Sequence, residues 1–503
     1  MRQQAAQSAI PEQQRASTGI AGLDHVLGGG LPAHHLYLVE GTPGCGKTTL
    51  GLQFLLRGTE LGEKGLYITL SETSGELFTV AQSHGWSLEG IEIFQLLTDE
   101  GLSPDAEQSI LHPSEVELGE TTRGVMAAVE RVKPRRVVFD SLSEMRLLAQ
   151  NPLRYRRQVL ALKSFFSTRN CTVILLDDRS SAHDDLQLHS IAHGVITLEQ
   201  YINAYGPERR RIRVIKMRGI PFRGGEHDCA LLTGGLEVFP RLVTNEHRGK
   251  YDGELVSAGS RQLDALLGGG LARGSNMLFS GPSGVGKTTT AIAATREALL
   301  RGEKAAYYLF DESLGTLLTR SRALGLEVDA FIRDGQLHIE TLDPAEVSPG
   351  EFANMVKGSV EGGARTVVID SLNAYLQAMP GDKHLLLQMH EILTYLNQRG
   401  IVTILILAQH GVVGDIRGDV DLSYLSDGVL LFRFFEARGS LLKAVSVIKS
   451  RTSAHELTIR EFRLTREGIE VGESLTDFEG VLTGVANYRG GMALLSDRDI
   501  KVR

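Results

Sequence analysis

Two stretches of the sequence carry residues whose types and spacing suit one chemistry, the gripping of a phosphate chain. The first is Gly41-Thr42-Pro43-Gly44-Cys45-Gly46-Lys47-Thr48, followed by Thr49; the second is Gly281-Pro282-Ser283-Gly284-Val285-Gly286-Lys287-Thr288, followed by Thr289. Both fit G-x-x-x-x-G-K-[ST]. In that pattern the glycines let backbone N–H groups turn inward around phosphate oxygens. The lysine reaches the outer phosphates, and the threonine hydroxyl is a magnesium ligand. Apolar runs precede the loops, Leu36 to Val39 and Asn276 to Phe279, and helical patterns follow, Thr49 to Arg57 and Thr289 to Leu300. A matched pair in a strand–loop–helix setting excludes a chance glycine-rich turn. Cys45 occupies a free position of the first loop and reads as a small filler rather than a redox switch.

Other residues complete the chemistry. Arg136-Val137-Val138-Phe139-Asp140 and Thr366-Val367-Val368-Ile369-Asp370 are apolar runs ending in an acid. An aspartate so placed holds the magnesium shell of a bound triphosphate. Thr48, Asp140, Thr288 and Asp370 are therefore the metal candidates, with ATP and Mg2+ the expected cofactors. Hydrolysis needs a group that orients or deprotonates water. Ser71-Glu72 and Asp311-Glu312 offer it, and Glu72 and Glu312 are the matched members. Two further strands carry Lys216-x-Arg218 and Lys449-x-Arg451. Side chains two apart on a strand face the same way, so each pair is a doubly positive prong suited to a γ-phosphate. Delivered by an adjoining subunit, it makes catalysis depend on a ring.

These residues need elements to position them, and the elements repeat. Gly22 to Leu31 matches Gln262 to Leu271, the same 240-residue offset (262 against 22) that separates Lys47 from Lys287. Such self-similarity means tandem domains of one fold. Strand candidates are Gly65–Leu70, Arg136–Asp140 and Thr172–Asp177 in the first half, and Ala305–Phe310, Thr366–Asp370 and Val402–Ala408 in the second. Nearly continuous apolar strands alternating with amphipathic helices predict an α/β fold, a mainly parallel sheet covered by helices. Ligands then sit beyond the carboxyl ends of the strands. Each half closes with more strand-like sequence: Arg209–Met217 and Cys229–Phe239, then Leu442–Lys449 and Leu457–Leu464. The expected divisions are a disordered arm over 1–16, domains over 17–247 and 248–485, and a tail over 486–503.

Bulk properties narrow the classes. A chain of 503 residues exceeds one ordinary core. A net charge of −8 argues against a protein dedicated to polyanions. Cys45, Cys171 and Cys229 are far apart and form no C-x-x-C pair, which fits a reducing cytoplasm and no zinc site. No apolar run reaches the length of a membrane span.

With these residues assembled, the sequence resembles the KaiC family, from about Ser17 to about Thr483. The resemblance implies two tandem RecA-like P-loop NTPase domains in a double-ring homo-hexamer, with ATP between neighbouring subunits. It implies ATPase activity in the first domain, served by Glu72, and serine/threonine autokinase activity in the second, served by Asp311 and Glu312. Lys216, Arg218, Lys449 and Arg451 then act on the neighbour's nucleotide. Ser423, within Asp421-Leu422-Ser423-Tyr424-Leu425-Ser426-Asp427, matches a phosphoacceptor. KaiB-like or signalling proteins are the implied partners, in clock-type or stress signalling. The sequence also departs from the family. Ser71 replaces an acid, and Asp311 is one methylene shorter than the usual glutamate. Tyr424 replaces a threonine, which argues against a two-step cycle and leaves single phosphorylation of Ser423 open. The end, Gly490 to Asp499, shows no match to the family's activator-recruiting tail.

Two rival readings carry distinct signatures. A RecA-like DNA motor would use Arg209-Arg210-Arg211-Ile212-Arg213, a short cluster without the interleaved aromatics of single-strand binders. A nucleotide-gated scaffold would fit the serine at position 71.

Overall fold

The computed structural model describes residues 14–95, 113–149, 151–179, 185–202, 206–243, 253–377, 385–409, 423–437, 439–483 and 486–488. They belong to two compact units, Met1–Arg241 and Leu242–Arg503. The boundary expected at 247/248 lies outside the described residues.

Each unit is built on a nine-stranded sheet of the same order. In the first, six parallel strands run Ile91–Gln95, Gly65–Thr69, Arg136–Asp140, Thr172–Asp178, Leu36–Gly41 and Gly194–Tyr201; Arg209–Met217, Glu226–Leu232 and Gly235–Phe239 continue antiparallel. The second repeats this with Asn276–Gly281 at the centre, between Val402–Ala408 and Gly428–Ala437. The strands are apolar along their length because both faces are covered. Tyr37, Val39, Tyr67 and Val138 pack on one face of the first sheet, while Leu36, Leu38, Leu66 and Phe139 pack on the other. That is the period-two alternation of a doubly buried strand.

The repeated approach to each loop has a local cause. Asp24 accepts from Ser17 Oγ (2.6 Å) and from the Thr18 amide (2.8 Å). Asp264 accepts likewise from Ser257 Oγ (2.7 Å) and from the Ala258 amide (2.6 Å). These bonds tie the entering chain to the short helices Ala21–Val26 and Arg261–Leu266. Arg15–Ala16 pairs with Leu31–Pro32. At the other end Asn487–Tyr488 pairs with Phe478–Glu479.

Some strand limits differ from those read in sequence. Cys229–Phe239 is a hairpin turned at Thr233 and Gly234, with Gly234 and Gly235 at positive φ. The strand expected over Leu457–Leu464 begins at Arg460. The one expected to end at Asp177 runs on to Asp178.

Register fixes which end of the sheet each functional residue occupies. Gly41 is level with Asp178 and Leu198, at the carboxyl edge. Lys216 is level with Val195, three residues nearer the amino edge, a displacement of about 10 Å. A bulge sits at this point in both sheets. Lys216 pairs with Val195 and Val214 with Ile196, which leaves Ile215 as the extra residue; Ile448 has the same place between Lys449 and Val447. A bulge re-aims the side chains around it. Among the described residues no helix is long and apolar enough to cross a membrane.

Candidate nucleotide site

Each loop ends in a glycine at positive φ, Gly46 (106°) and Gly286 (119°), immediately before the helices Lys47–Glu60 and Lys287–Leu300. The turn aims the first amides of the helix at the space above the strand, and the helix dipole adds positive potential there. Gly286 is doubly constrained. A Cβ on it would lie 2.9 Å from Leu464 Cδ1 and 3.0 Å from Phe462 Cε1. Gly284 has φ +78° but open space around it. Cys45 and Val285, at matching positions, are both fully buried. Burial pushes the Cys45 thiol up, so it packs as Val285 does.

The lysines curl back into their own loops. Lys47 Nζ donates to the carbonyls of Gly41 (2.9 Å) and Thr42 (3.0 Å); Lys287 Nζ donates to those of Gly281 (2.7 Å) and Pro282 (2.8 Å). Their third partners differ. Lys47 is paired with Asp178 Oδ1 at 2.8 Å. The residue level with Gly281, as Asp178 is with Gly41, is Ala408. Burial pushes the Lys287 ammonium down to about 8, against the offsetting charge of Asp370.

The aspartates lie where their strands end. Thr48 Oγ1 donates to Asp140 Oδ2 (3.3 Å), and Tyr67 Oη donates to the same oxygen (2.5 Å). Tyr307 Oη donates to Asp370 Oδ2 (2.9 Å). Burial pushes both carboxyls up, and these hydroxyls, with that of Thr288 beside Asp370, pull them back. A buried carboxylate next to a threonine hydroxyl is a hard-oxygen donor set that fits magnesium. No group of three or more carboxylate, thiol or imidazole residues among the described residues could hold a metal by itself. A cation here would take its other oxygens from a nucleotide and water.

The acids beyond the neighbouring strand differ between units. In the first, Glu72 Oε2 is buried without a hydrogen-bond partner among the described residues. Burial first, then the charges of Asp140, Glu76 and Asp178, push Glu72 up to about 7. In the second, Glu312 is held by both arms of Arg320, at 2.7 and 2.8 Å. Asp311 accepts from Ser371 Oγ. The residue matching Arg320 in the first unit is Val80.

The Lys–Arg prongs lie at the amino edge, away from the phosphate loop of the same sheet. Lys216 Nζ donates to the carbonyls of His189 and, at 2.9 Å, Ala192. Lys449 Nζ donates to that of Ser426 (2.7 Å). Arg218 and Arg451 are the exposed members. Arg218 donates to the Ser190 carbonyl (3.0 Å), and Arg451 stands 3.8 Å from Asp427. Ser423 opens the short turn Ser423–Leu425, just before Gly428–Ala437, so its backbone lies at the same edge as Lys449. Asp421 lies outside the described residues.

The arginine run is largely engaged by the protein itself. Arg209 is buried, and Arg211 pairs with Asp228 (3.1 Å) and Glu226 (3.3 Å). Sequence reasoning missed Tyr67 and Tyr307, which keep the 240-residue offset and were findable by it. Asp178 and Arg320 were not, because neither is repeated.

Gly286→Ala combines positive-φ strain with two close contacts and is expected to destabilise the second unit by about 2–3 kcal/mol. Gly284→Ala carries only the strain and costs about 1 kcal/mol. Thermal unfolding of the two variants checks the difference; equal shifts would contradict the packing described.

The family model described as "ATPase: KaiC" matches residues 16–243 and 256–476. The circadian clock oscillator protein KaiC of Parathermosynechococcus lividus is 26% identical over 491 residues, 94% of this chain and 88% of the relative. The circadian clock protein KaiC3 of Synechocystis is 25% identical over 94% of this chain and 95% of its own length. KaiC of Synechococcus elongatus is 26% identical over 93% and 91%. With a phosphate loop, a strand-end aspartate and a nearby acid in each half, and the match spanning both halves, the chain belongs to the KaiC family of ATPases.

Proposed function

We propose that the chain is a ring-forming ATPase whose second domain phosphorylates the chain on Ser423. The observation that carries this reading is the division of each sheet. The phosphate loop and acids stand at the carboxyl edge, and the Lys–Arg pair stands at the amino edge. Lys216 and Lys449 are thus displaced from their own phosphate loops. A surface that holds a triphosphate and a separate surface that offers cations are complementary between copies, head to tail. A head-to-tail interface that closes is a ring; six members is the number the family resemblance implies. Ser423 would face the same neighbouring nucleotide as Lys449 and Arg451.

In the first domain the loop amides and Lys47 grip the phosphates. Glu72, with a proton affinity near neutrality, takes the proton of the attacking water. In the second, Glu312 gives its oxygens to Arg320, which favours slower hydrolysis and leaves phosphoryl transfer to a hydroxyl as the productive path. There the Ser423 oxygen forms the new bond to phosphorus, its proton passes to a carboxylate, and ADP leaves. Magnesium, held through Thr48 and Asp140 or through Thr288 and Asp370, would neutralise the phosphate oxygens when bound. The sequence likeness to clock proteins supports partners of the KaiB or signalling kind.

Mass analysis and phosphosite mapping after incubation with Mg-ATP test the proposal. The expected result is a hexamer with phosphate on Ser423 that disappears in Lys287→Ala. A monomer, or phosphate that persists in that variant, would contradict it.

The protonation of Glu72 gives a second test. Only the carboxylate is a base, so a raised pKa leaves it inactive in acid and active above neutrality. In a Lys287→Ala background, turnover should rise with pH through about 7. Glu72→Gln should lower turnover about 100-fold or more and remove that rise. An unchanged profile would contradict the role.

A further inference from the structure

The two phosphate loops share a backbone but not a charge pattern. A lysine ammonium has three donors. In each unit two go to carbonyls of the loop. In the first, the ammonium also meets the Asp178 carboxylate at 2.8 Å; the lysine side chain is 9% exposed and the aspartate 39%. Asp178 is held there by its position in the sheet. It is level with Gly41, its amide donates to Ser143 Oγ at 3.1 Å, and the Arg179 amide donates to the Gly41 carbonyl at 3.2 Å. In the second unit Ala408 has this register position, and the same buried lysine has no ion pair among the described residues.

The chemistry that follows concerns the terminal phosphate. A loop lysine serves the outer phosphates of a nucleotide. In the first unit that ammonium already neutralises a carboxylate. An incoming phosphate must take the ammonium from Asp178 and then stand beside the displaced negative charge. The penalty grows with the negative charge brought to that spot, so it weighs more on a triphosphate than on a diphosphate. In the second unit Ala408 offers no carboxylate at this register position, and no ion pair holds Lys287 among the described residues.

We propose that Asp178 is a specificity-determining residue of the first site: it competes with the terminal phosphate for Lys47 and weakens binding of nucleoside triphosphate relative to diphosphate. The second site, with Ala408 there, lacks this bias. A first-domain site biased in this way is more readily inhibited by its own diphosphate product, because triphosphate displaces that product less effectively. The inference rests on Lys47 being a phosphate ligand.

Fluorescent analogues of ATP and ADP, titrated at fixed Mg2+, supply the test. The full chain carrying Lys287→Ala isolates the first site. Adding Asp178→Asn, which keeps the shape and the backbone amide's bond to Ser143 Oγ, should tighten ATP about fivefold, the scale of a partly exposed ion pair, and ADP less than about twofold. The reciprocal change Ala408→Asp, in a Lys47→Ala chain, should weaken ATP at the second site by a similar factor. Unchanged or weaker ATP binding in Asp178→Asn, or equal shifts for the two nucleotides, would overturn the assignment. Retention of first-site binding in Lys47→Ala would overturn the phosphate reading instead, so the two failures are separable.

Discussion

A buried lysine ammonium, fastened to the carbonyls of its own loop, is the interaction on which each half of this protein depends. Lys47 and Lys287 are both nearly inaccessible. A charge in that position needs close oxygen partners, because desolvation is costly without them. The loop supplies two, and it can do so only while its glycines hold positive φ and bend the backbone around the ammonium. The same bend turns the amides of the following helix outward. One conformational requirement therefore satisfies a buried cation and builds an anion site at the end of the central strand. The loop stands ready because the lysine has organised it.

Duplication preserved this framework and changed the charges around it. The sheet order, the bulge beside each Lys–Arg pair, and the tyrosine beneath each aspartate are common to both units. The ion pairs are not. The first unit pairs its lysine with Asp178 and gives one oxygen of Glu72 no hydrogen-bond partner among the described residues; the second pairs Glu312 with Arg320 and has alanine level with the start of its loop. A bidentate guanidinium pair must open before its carboxylate can act as a base, so under the proposed roles Glu72 is the readier of the two acids.

The sequence revealed what repeats and what has strict local form. Both loops, both strand-end aspartates, Glu72 with Glu312 and the Lys-x-Arg pairs were legible because their spacing is a consequence of backbone geometry. The α/β class followed from apolar strands alternating with helices. Partner choice was not legible. Glu312 and Arg320 are eight residues apart, and only the packing of the helix Leu314–Ala323 shows that they meet. Asp178 lies 131 positions beyond Lys47 (178 against 47), and the contact is created by parallel pairing of Thr172–Asp178 with Leu36–Gly41, the strand that leads into the loop of Lys47. The bulges were equally hidden, since an extra isoleucine in a strand looks like any other apolar residue. They matter because they turn Lys216 and Lys449 toward carbonyls and leave Arg218 and Arg451 as the exposed cations.

Equilibrium dialysis of nucleotide against the full chain and its loop variants counts the sites that the two buried lysines serve. Two nucleotides should bind per chain, one in Lys47→Ala, one in Lys287→Ala and none when both are changed. Full occupancy in the double variant, or a single site in the unaltered chain, would contradict that role.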